Sequence, residues 1–466
     1  MSPQVSVASL FDFDKVSYEK ETDVHLDVVL TAPERSTVKR IPLHLILAID
    51  CSGSMSGGKL DRVKSTVERL VDHLTENDSL GVIGFSGEAW EVLKAVPMTK
   101  ENKNLAKDCV KKLSHHDMTN LSGAISMAIE KAVISDPTKT SRIILLTDGL
   151  PTAGICNKEA LIQLAAKTNE SVSISTFGYG DDFDAELMAS LSKMGRGNNF
   201  YIKSDDECNK AFALELGGLL SMFGQNLKLT ITPSGNMGFK EMLSEYKCEQ
   251  KNGYRLLTKS KIEIQIDDIY VGEKKHVLLT LEIPKATEAV CARATRVCDI
   301  ALSYTDTETK KQETVSETAK LHYVKTDKVA SEPNPEVQRQ LVLLETVRLQ
   351  KEAKEKADAG QFKEAQTILA GAVNYINLNA SYVPDSGVYA SALNEMSSEF
   401  SNSATYRSLG VKSATAYACS VGTSRAGSMG GLSFSNTSTT DLQKNFMKSF
   451  TEPVELVVKK DPDPVK

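Results

Sequence analysis

At 466 residues the chain is too long for one ordinary core, and two or three domains are expected. Hydrophobic residues make up 41% and charged residues 25%, which supplies enough apolar material for real cores and excludes global disorder. The net charge of -6 comes without a dense Lys/Arg block, so no nucleic acid partner is expected.

The first twenty residues have no basic segment followed by an apolar one, and nowhere do eighteen apolar residues run together. The expectation is a cytoplasmic chain with no transmembrane segment. Eight cysteines are dispersed from Cys51 to Cys419 without a C-x-x-C pair, as reduced thiols would be. Cys291 and Cys298 alone are close enough to suggest zinc, but no second pair or spaced histidines accompany them.

In chain order, residues 1–41 contain Val24-His-Leu-Asp-Val-Val-Leu30, whose alternation is that of a half-buried antiparallel strand. Residues 42–222 change rhythm. Near-continuous apolar runs at Leu43–Asp50, Ser79–Phe85, Arg142–Thr147 and Val172–Phe177 have the character of strands covered on both faces. Amphipathic stretches separate and follow them: 59–74, 103–113, 121–133, 157–168, 184–194 and 205–220. Leu60, Val63, Val67, Leu70, Val71 and Leu74 give the first of these an apolar face. This is the pattern of an α/β unit, a doubly wound, mostly parallel sheet.

Strand-like alternation returns within 223–330, at 227–231, 261–266 and 276–283, so the two flanks are expected to form one β-sandwich into which the α/β domain is inserted. Residues 331–400, opening on Ser331-Glu-Pro-Asn-Pro335, predict a helical hairpin with a tight turn at Ala359-Gly-Gln-Phe-Lys-Glu-Ala365. Ser, Gly and Thr dominate 401–466, which predicts a flexible tail.

The first apolar strand ends in Asp50-Cys51-Ser52-Gly53-Ser54, a carboxylate and two hydroxyls at alternate positions on a turn into a helix. Hard oxygen donors of this kind suit Mg²⁺, which keeps some waters and leaves room for a further ligand oxygen. The triplet alone is weak. Two more segments stand at the right places: Thr119-Asn120-Leu121-Ser122-Gly123 before a helix, and Leu146-Thr147-Asp148-Gly149 at the end of a strand.

Together these segments resemble the metal-ion-dependent adhesion site of the von Willebrand factor A family. The resemblance implies that Asp50, Ser52 and Ser54 form the first metal loop, Thr119 the second and Asp148 the third. It also implies one Mg²⁺, or Mn²⁺ or Ca²⁺, that takes an Asp or Glu carboxylate from a protein partner. Asp117-Met118 stands where the family often has two glycines, so a bulkier and more acidic loop is expected beside the ion. The order of A-type domain, β region and helical segment is also similar to that of plant A-type-domain RING ubiquitin ligases. The Cys and His residues of this chain form no series that would hold a RING's two zinc ions.

Three readings follow: a metal-dependent interaction module or scaffold, an adaptor in ubiquitin ligation without its own RING, and a metal-independent scaffold. None is an enzyme. Gly53-Ser54-Met55-Ser56-Gly57 spells the G-x-S-x-G of serine hydrolases, but the same residues belong to the metal loop. His115-His116 and the acidic Gly178-Tyr-Gly-Asp-Asp182 are read as solvated loops.

Overall fold

The computed structural model describes residues 4–34, 41–133, 136, 139–168, 172–256, 260–326 and 332–422, with four two-residue pieces beyond. The chain opens with β1 (Ser6–Phe11), β2 (Lys15–Ser17) and β3 (Thr22–Thr31). It then enters an α/β domain in the order β4 (Leu43–Asp50), α1 (Lys59–His73), β5 (Ser79–Phe85), β6 (Ala89–Pro97), α2 (Lys100–Lys111), α3 (Leu121–Ala132), β7 (Thr140–Thr147), α4 (Lys158–Ala165), β8 (Val172–Tyr179), α5 (Ala185–Met194), β9 (Arg196–Ile202) and α6 (Asp205–Leu220).

Side-chain caps fix the helix starts. Thr99, Asn120, Asn157 and Asp184 each accept a backbone N–H three residues on, satisfying a donor that has no partner within its helix.

The sheet order is β6-β5-β4-β7-β8-β9, parallel except for β6. Alternate residues of the central strands serve opposite cores. Ile46, Ala48, Ile143 and Leu145 face α3 and α5, whereas Leu45, Leu47, Ile144 and Leu146 face α1 and α6. Because β4 pairs with both β5 and β7, the strand order reverses at its edge with β7. Ligands of open α/β sheets bind at the carboxyl ends of the strands there.

After α6 come β10 (Met222–Pro233), β11 (Gly238–Met242), β12 (Lys247–Cys248), β13 (Lys251–Asn252), β14 (Arg255–Leu256), β15 (Ile262–Ile266), β16 (Ile269–Tyr270), β17 (Lys274–Ile283), β18 (Thr295–Asp306) and β19 (Gln312–Val324). They join β1–β3 in two sheets, β1-β3-β17-β11-β14-β13 and β12-β15-β10-β18-β19-β2. Leu26, Val28, Leu229, Ile264, Leu279 and Ile300 are among the residues of their shared core. The α/β domain is thus inserted between β3 and β10.

One turn gathers both connections: Val271 N–H donates to Ser221 O at 2.7 Å, and Gly272 N–H to Pro33 O at 3.3 Å. Beside it the buried Arg142 of β7 reaches Asp268 of the sandwich at 2.7 Å.

The last part departs from expectation. The hairpin forms, as α7 (Pro335–Asp358) and α8 (Phe362–Leu378), with Gly360 at φ +78° closing the turn. Asn334 caps α7, and Pro335 occupies its first turn, where a missing N–H costs nothing.

More helices follow, however: α9 (Ser386–Glu399), then α10 (Ser403–Thr405), which runs through a π-helical stretch, Tyr406–Gly410, into α11 (Val411–Gly422). The flexible tail expected from residue 401 is therefore corrected for 403–422. Ala414, Ala416 and Tyr417 are buried in the core that runs from the sheet through α5 to these helices, and Tyr417 hydrogen-bonds Thr346 of α7 at 2.7 Å. Small and hydroxyl residues read as linker in isolation, but here their small size lets helices pack closely. Farther on, the buried Gln443 donates to Leu214 O at 3.1 Å. Most of the Ser/Gly/Thr-rich stretch 423–440 lies outside the described residues.

Arg142→Ala is expected to destabilise the protein by about 3 kcal/mol, because it removes one partner of a buried ion pair. A shift of the urea midpoint checks this, and an unchanged midpoint would show that the pair does not hold the insertion in place.

Candidate metal centre

The site is built where β4 and β7 end. Asp50, the last residue of β4, is fully buried, and Cys51 N–H continues the pairing with β5 by donating to Phe85 O at 2.7 Å. The chain then turns on the Asp50 carboxylate, whose Oδ1 accepts Ser52 N–H at 2.7 Å. A 3₁₀ turn, Gly53–Met55, follows, with Met55 buried beneath it. Gly57 and Gly58 take φ of +73° and +96° and lead into α1, a left-handed path open to glycine.

The second loop is tied to the first and third by main-chain bonds. His116 N–H donates to Cys51 O at 2.7 Å, and Asn120 N–H to Ser86 O at 2.6 Å. Thr119 donates its N–H to Thr152 Oγ1 at 2.8 Å, and its carbonyl accepts from Thr152 and Ala153 at 2.9 and 3.1 Å. Asn120 caps α3 and also donates to Gly87 O at 3.1 Å.

All five expected residues meet. Ser52 Oγ lies 2.9 Å from Ser54 Oγ, and Ser54 Oγ donates to Asp148 Oδ1 at 2.6 Å. Gly149 lies against both Ser54 and Thr119: a Cβ added to it would stand 3.2 Å from Ser54 Oγ and 3.5 Å from Thr119 Oγ1.

Two further residues take part that the motif reading did not include. Thr147 Oγ1 donates to Asp50 Oδ2 at 2.5 Å, and Lys59 Nζ sits 2.6 Å from Asp148 Oδ2. Both could have been sought in the sequence, Thr147 beside the third-loop carboxylate and Lys59 directly after the Gly57-Gly58 pair.

Asp148 is as fully buried as Asp50. Burial pushes the Asp50 carboxyl up to about 6; the Thr147 and Ser52 hydrogen bonds oppose this, and the Asp148 charge adds to it. The donor set is two carboxylates and three hydroxyls, all hard oxygens, and it fits a cation of the Mg²⁺ type. Among the described residues no three His, Cys, Asp or Glu side chains form a cluster that could hold a metal ion, so a cation here would rest on the hydroxyls as well as the two carboxylates.

The departure at Asp117-Met118 has a structural meaning. Asp117 is exposed and approaches the first loop, its Oδ1 lying 3.7 Å from where a Cβ on Gly53 would stand. Met118 is 54% exposed and takes φ +71°, so a side chain occupies the left-handed conformation that glycine would adopt without strain.

The other loop features remain outside this centre. Ser56 is exposed past the 3₁₀ turn, and His116 lies edge-on to Trp90 at 5.8 Å. Gly180 approaches Lys59, its Cβ position being 3.4 Å from Nζ, which brings the Asp181-Asp182 loop to the same rim. Cys298 is buried in the sandwich, its thiol pushed up to about 12 by burial.

The von Willebrand factor type A domain model matches residues 44–213. The chain carries a von Willebrand factor type A domain. A-type domains are protein-interaction modules and in general not enzymes.

The chain is 27% identical over 263 residues to the mouse inter alpha-trypsin inhibitor heavy chain 4, covering 54% of this chain and 27% of that protein. It is also 27% identical over 263 residues to the E3 ubiquitin-protein ligase WAV3 of Arabidopsis thaliana, covering 54% and 32%. An uncharacterized protein of Synechocystis is 25% identical over 260 residues, 55% of this chain and 61% of its own length. The chain thus spans less than two thirds of each of these relatives.

Among solved structures, the von Willebrand factor type A protein from Catenulispora acidiphila superposes with a TM-score of 0.64 at 14% identity, covering 88% of this chain and 97% of that one. The ArnB paralog VWA2 from Sulfolobus acidocaldarius gives 0.59 at 17%, covering 90% and 99%. The likeness is one of fold, and it extends well beyond the A-type domain. Among the described residues no helix is long and apolar enough to cross a membrane.

Two outcomes follow for stability. In chelator, the folded protein holds the Asp50 proton up to about pH 6 while the unfolded chain releases it near the ordinary 3.8. The stability contributed by the neutral form is therefore complete below that lower value and lost as pH rises through about 6, by up to about 3 kcal/mol. Asp50→Asn is expected to lack this fall; urea midpoints at about pH 4.5 and about pH 7 check it, and parallel behaviour of the two proteins contradicts it. Met118→Gly relieves the left-handed strain and is expected to raise stability by about 1 kcal/mol, read in the same denaturation experiment.

Proposed function

We propose that the A-type domain holds one divalent cation, Mg²⁺ in the first instance, through Asp50, Ser52, Ser54, Thr119 and Asp148, and captures an Asp or Glu side chain of a protein partner. The observation that carries this reading is a charge imbalance at two buried carboxylates. Two carboxylates with no solvent exposure lie among three hydroxyls, and one lysine reaches only one of them. A buried carboxylate must be protonated, hydrogen-bonded or balanced by a cation, and here the first two are only partial.

Five side-chain donors favour Mg²⁺ or Mn²⁺ over Ca²⁺, which takes six to eight oxygens. The bound ion would supply an electrophilic centre that a partner carboxylate can complete. The residues of this chain do the rest: Thr147 orients Asp50, Thr152 orients Thr119, and the exposed Asp117 selects against partners with excess negative charge near the anchoring carboxylate.

A second reading is favoured by the similarity to WAV3, which runs over 263 residues, more than the 44–213 matched by the A-type domain model. In that reading the chain is an adaptor in ubiquitin ligation, its helical part recruiting a catalytic component while the metal loops hold a target.

Calorimetric titration of Mg²⁺ into chelator-stripped protein is expected to show one saturable site, lost in a folded Asp50→Ala/Asp148→Ala variant. Binding undiminished in the variant would remove these residues from the site. Partner capture that persists in chelator would favour a metal-independent scaffold.

A further inference from the structure

Six large apolar side chains are at least 45% exposed among the described residues: Leu105, Met118, Val133, Leu150, Ile155 and Leu378. Half of them stand at the metal loops. Met118 precedes Thr119, and its Sδ lies 3.9 Å from where a Cβ on Gly87 would stand. Leu150 follows Gly149, which lies against Ser54 and Thr119. Ile155 closes the loop that Thr152 and Ala153 lay on Thr119, its N–H donating to Ser122 Oγ at 2.9 Å.

A single exposed apolar side chain needs no explanation, but three around one centre do. The fold does not call for them. None belongs to the described hydrophobic cores, and Met118 holds φ +71°, where a glycine would be free of strain. Asp117, Asp181 and Asp182 are exposed on the same rim. A partner's anchoring carboxylate is therefore best accompanied by apolar groups and not by further acids.

We propose that Met118, Leu150 and Ile155 form an apolar seat beside the metal loops, and that the partner captured there is a peptide segment in which Leu-sized side chains flank a single Asp or Glu. The seat rests on the metal site proposed above and adds what that site lacks, a means of telling one acidic residue from another. Carboxylates alone are common on protein surfaces. Covering the three side chains removes apolar surface from water. It also shields the ion–carboxylate contact, whose attraction strengthens as the local dielectric falls.

Fluorescence anisotropy of the full chain with labelled peptides, in Mg²⁺ and in chelator, tests this. The probes are Ser-Gly-Leu-Asp-Leu-Gly-Ser, the same peptide with Ser-Asp-Ser at its centre, and the same with Leu-Asn-Leu. In Mg²⁺ the Leu-Asp-Leu peptide is expected to bind about tenfold more tightly than either of the others. In Leu150→Ser/Ile155→Ser its advantage over Ser-Asp-Ser is expected to fall to about twofold or less, with Mg²⁺ affinity, read by calorimetry, unchanged. Met118→Gly is expected to lower the same advantage, and Leu378→Ser, at the end of α8, to keep it.

Equal affinity of Mg²⁺-loaded protein for the Leu-Asp-Leu and Ser-Asp-Ser peptides, or binding of neither, would overturn the seat and leave the metal site standing. So would an advantage kept in full by both rim variants, or Leu-Asp-Leu bound as tightly in chelator or with Asn in place of its Asp. Protein that takes up no Mg²⁺ in the calorimeter would overturn the metal site itself, and the seat with it.

Discussion

Everything at the functional end of this molecule follows from placing Asp50 and Asp148 without solvent at the reversal point of a parallel sheet. A carboxylate in such a place must be protonated, hydrogen-bonded or balanced by a cation. The chain uses all three devices: a raised affinity of Asp50 for its proton, hydroxyls from Thr147 and Ser54, and the Lys59 ammonium on Asp148. Each is partial. The arrangement holds together as a folded structure, and the charge it leaves only partly balanced is the physical basis of the proposed metal site.

That end can be exacting because the rest of the fold is tied down elsewhere. The A-type domain leaves and re-enters the sandwich at one turn, Val271–Gly272, and the Arg142–Asp268 pair crosses the same junction. On the opposite flank, α7–α11 share one core with the sheet. Lys203 reaches Glu395 and Glu399 of α9 at 2.5 and 3.1 Å, and Arg339 binds Asp385 in a two-pronged pair. A sheet so supported on both sides keeps its loop ends in register, which a site shared by three loops requires.

What could be read from the sequence divides by burial. β4, β5, β7 and β8 are covered on both faces, and their unbroken apolar runs announce them. The edge strands of that sheet, and the half-exposed β18–β19 hairpin of the sandwich, are different. β6 carries Glu91 and Lys94 on an exposed side, β9 opens on Arg-Gly-Asn-Asn, and the β18–β19 hairpin is rich in Thr, Ser and Glu, so none has an apolar run. α11 was hidden for another reason: Ala, Ser and Thr in Val411–Gly422 signal a linker unless a neighbouring helix is known to lie against them. At the site, Asp50, Ser52 and Ser54 stand at alternate positions on one turn, and the resemblance to the A-type family's adhesion site adds Thr119 and Asp148 from two other loops that the fold brings alongside. Lys59 and Thr147 stand beside those motifs, but what singles them out is contact between loops nearly a hundred residues apart in sequence.

The most direct test of the central claim is anomalous diffraction from crystals grown in Mn²⁺, which scatters where Mg²⁺ does not and takes the same oxygen ligands. The account predicts a single strong peak among Asp50, Ser52, Ser54, Thr119 and Asp148. A well-ordered site with no peak there, the Lys59–Asp148 contact intact, would contradict it and leave the lysine as the cation for which the site was built.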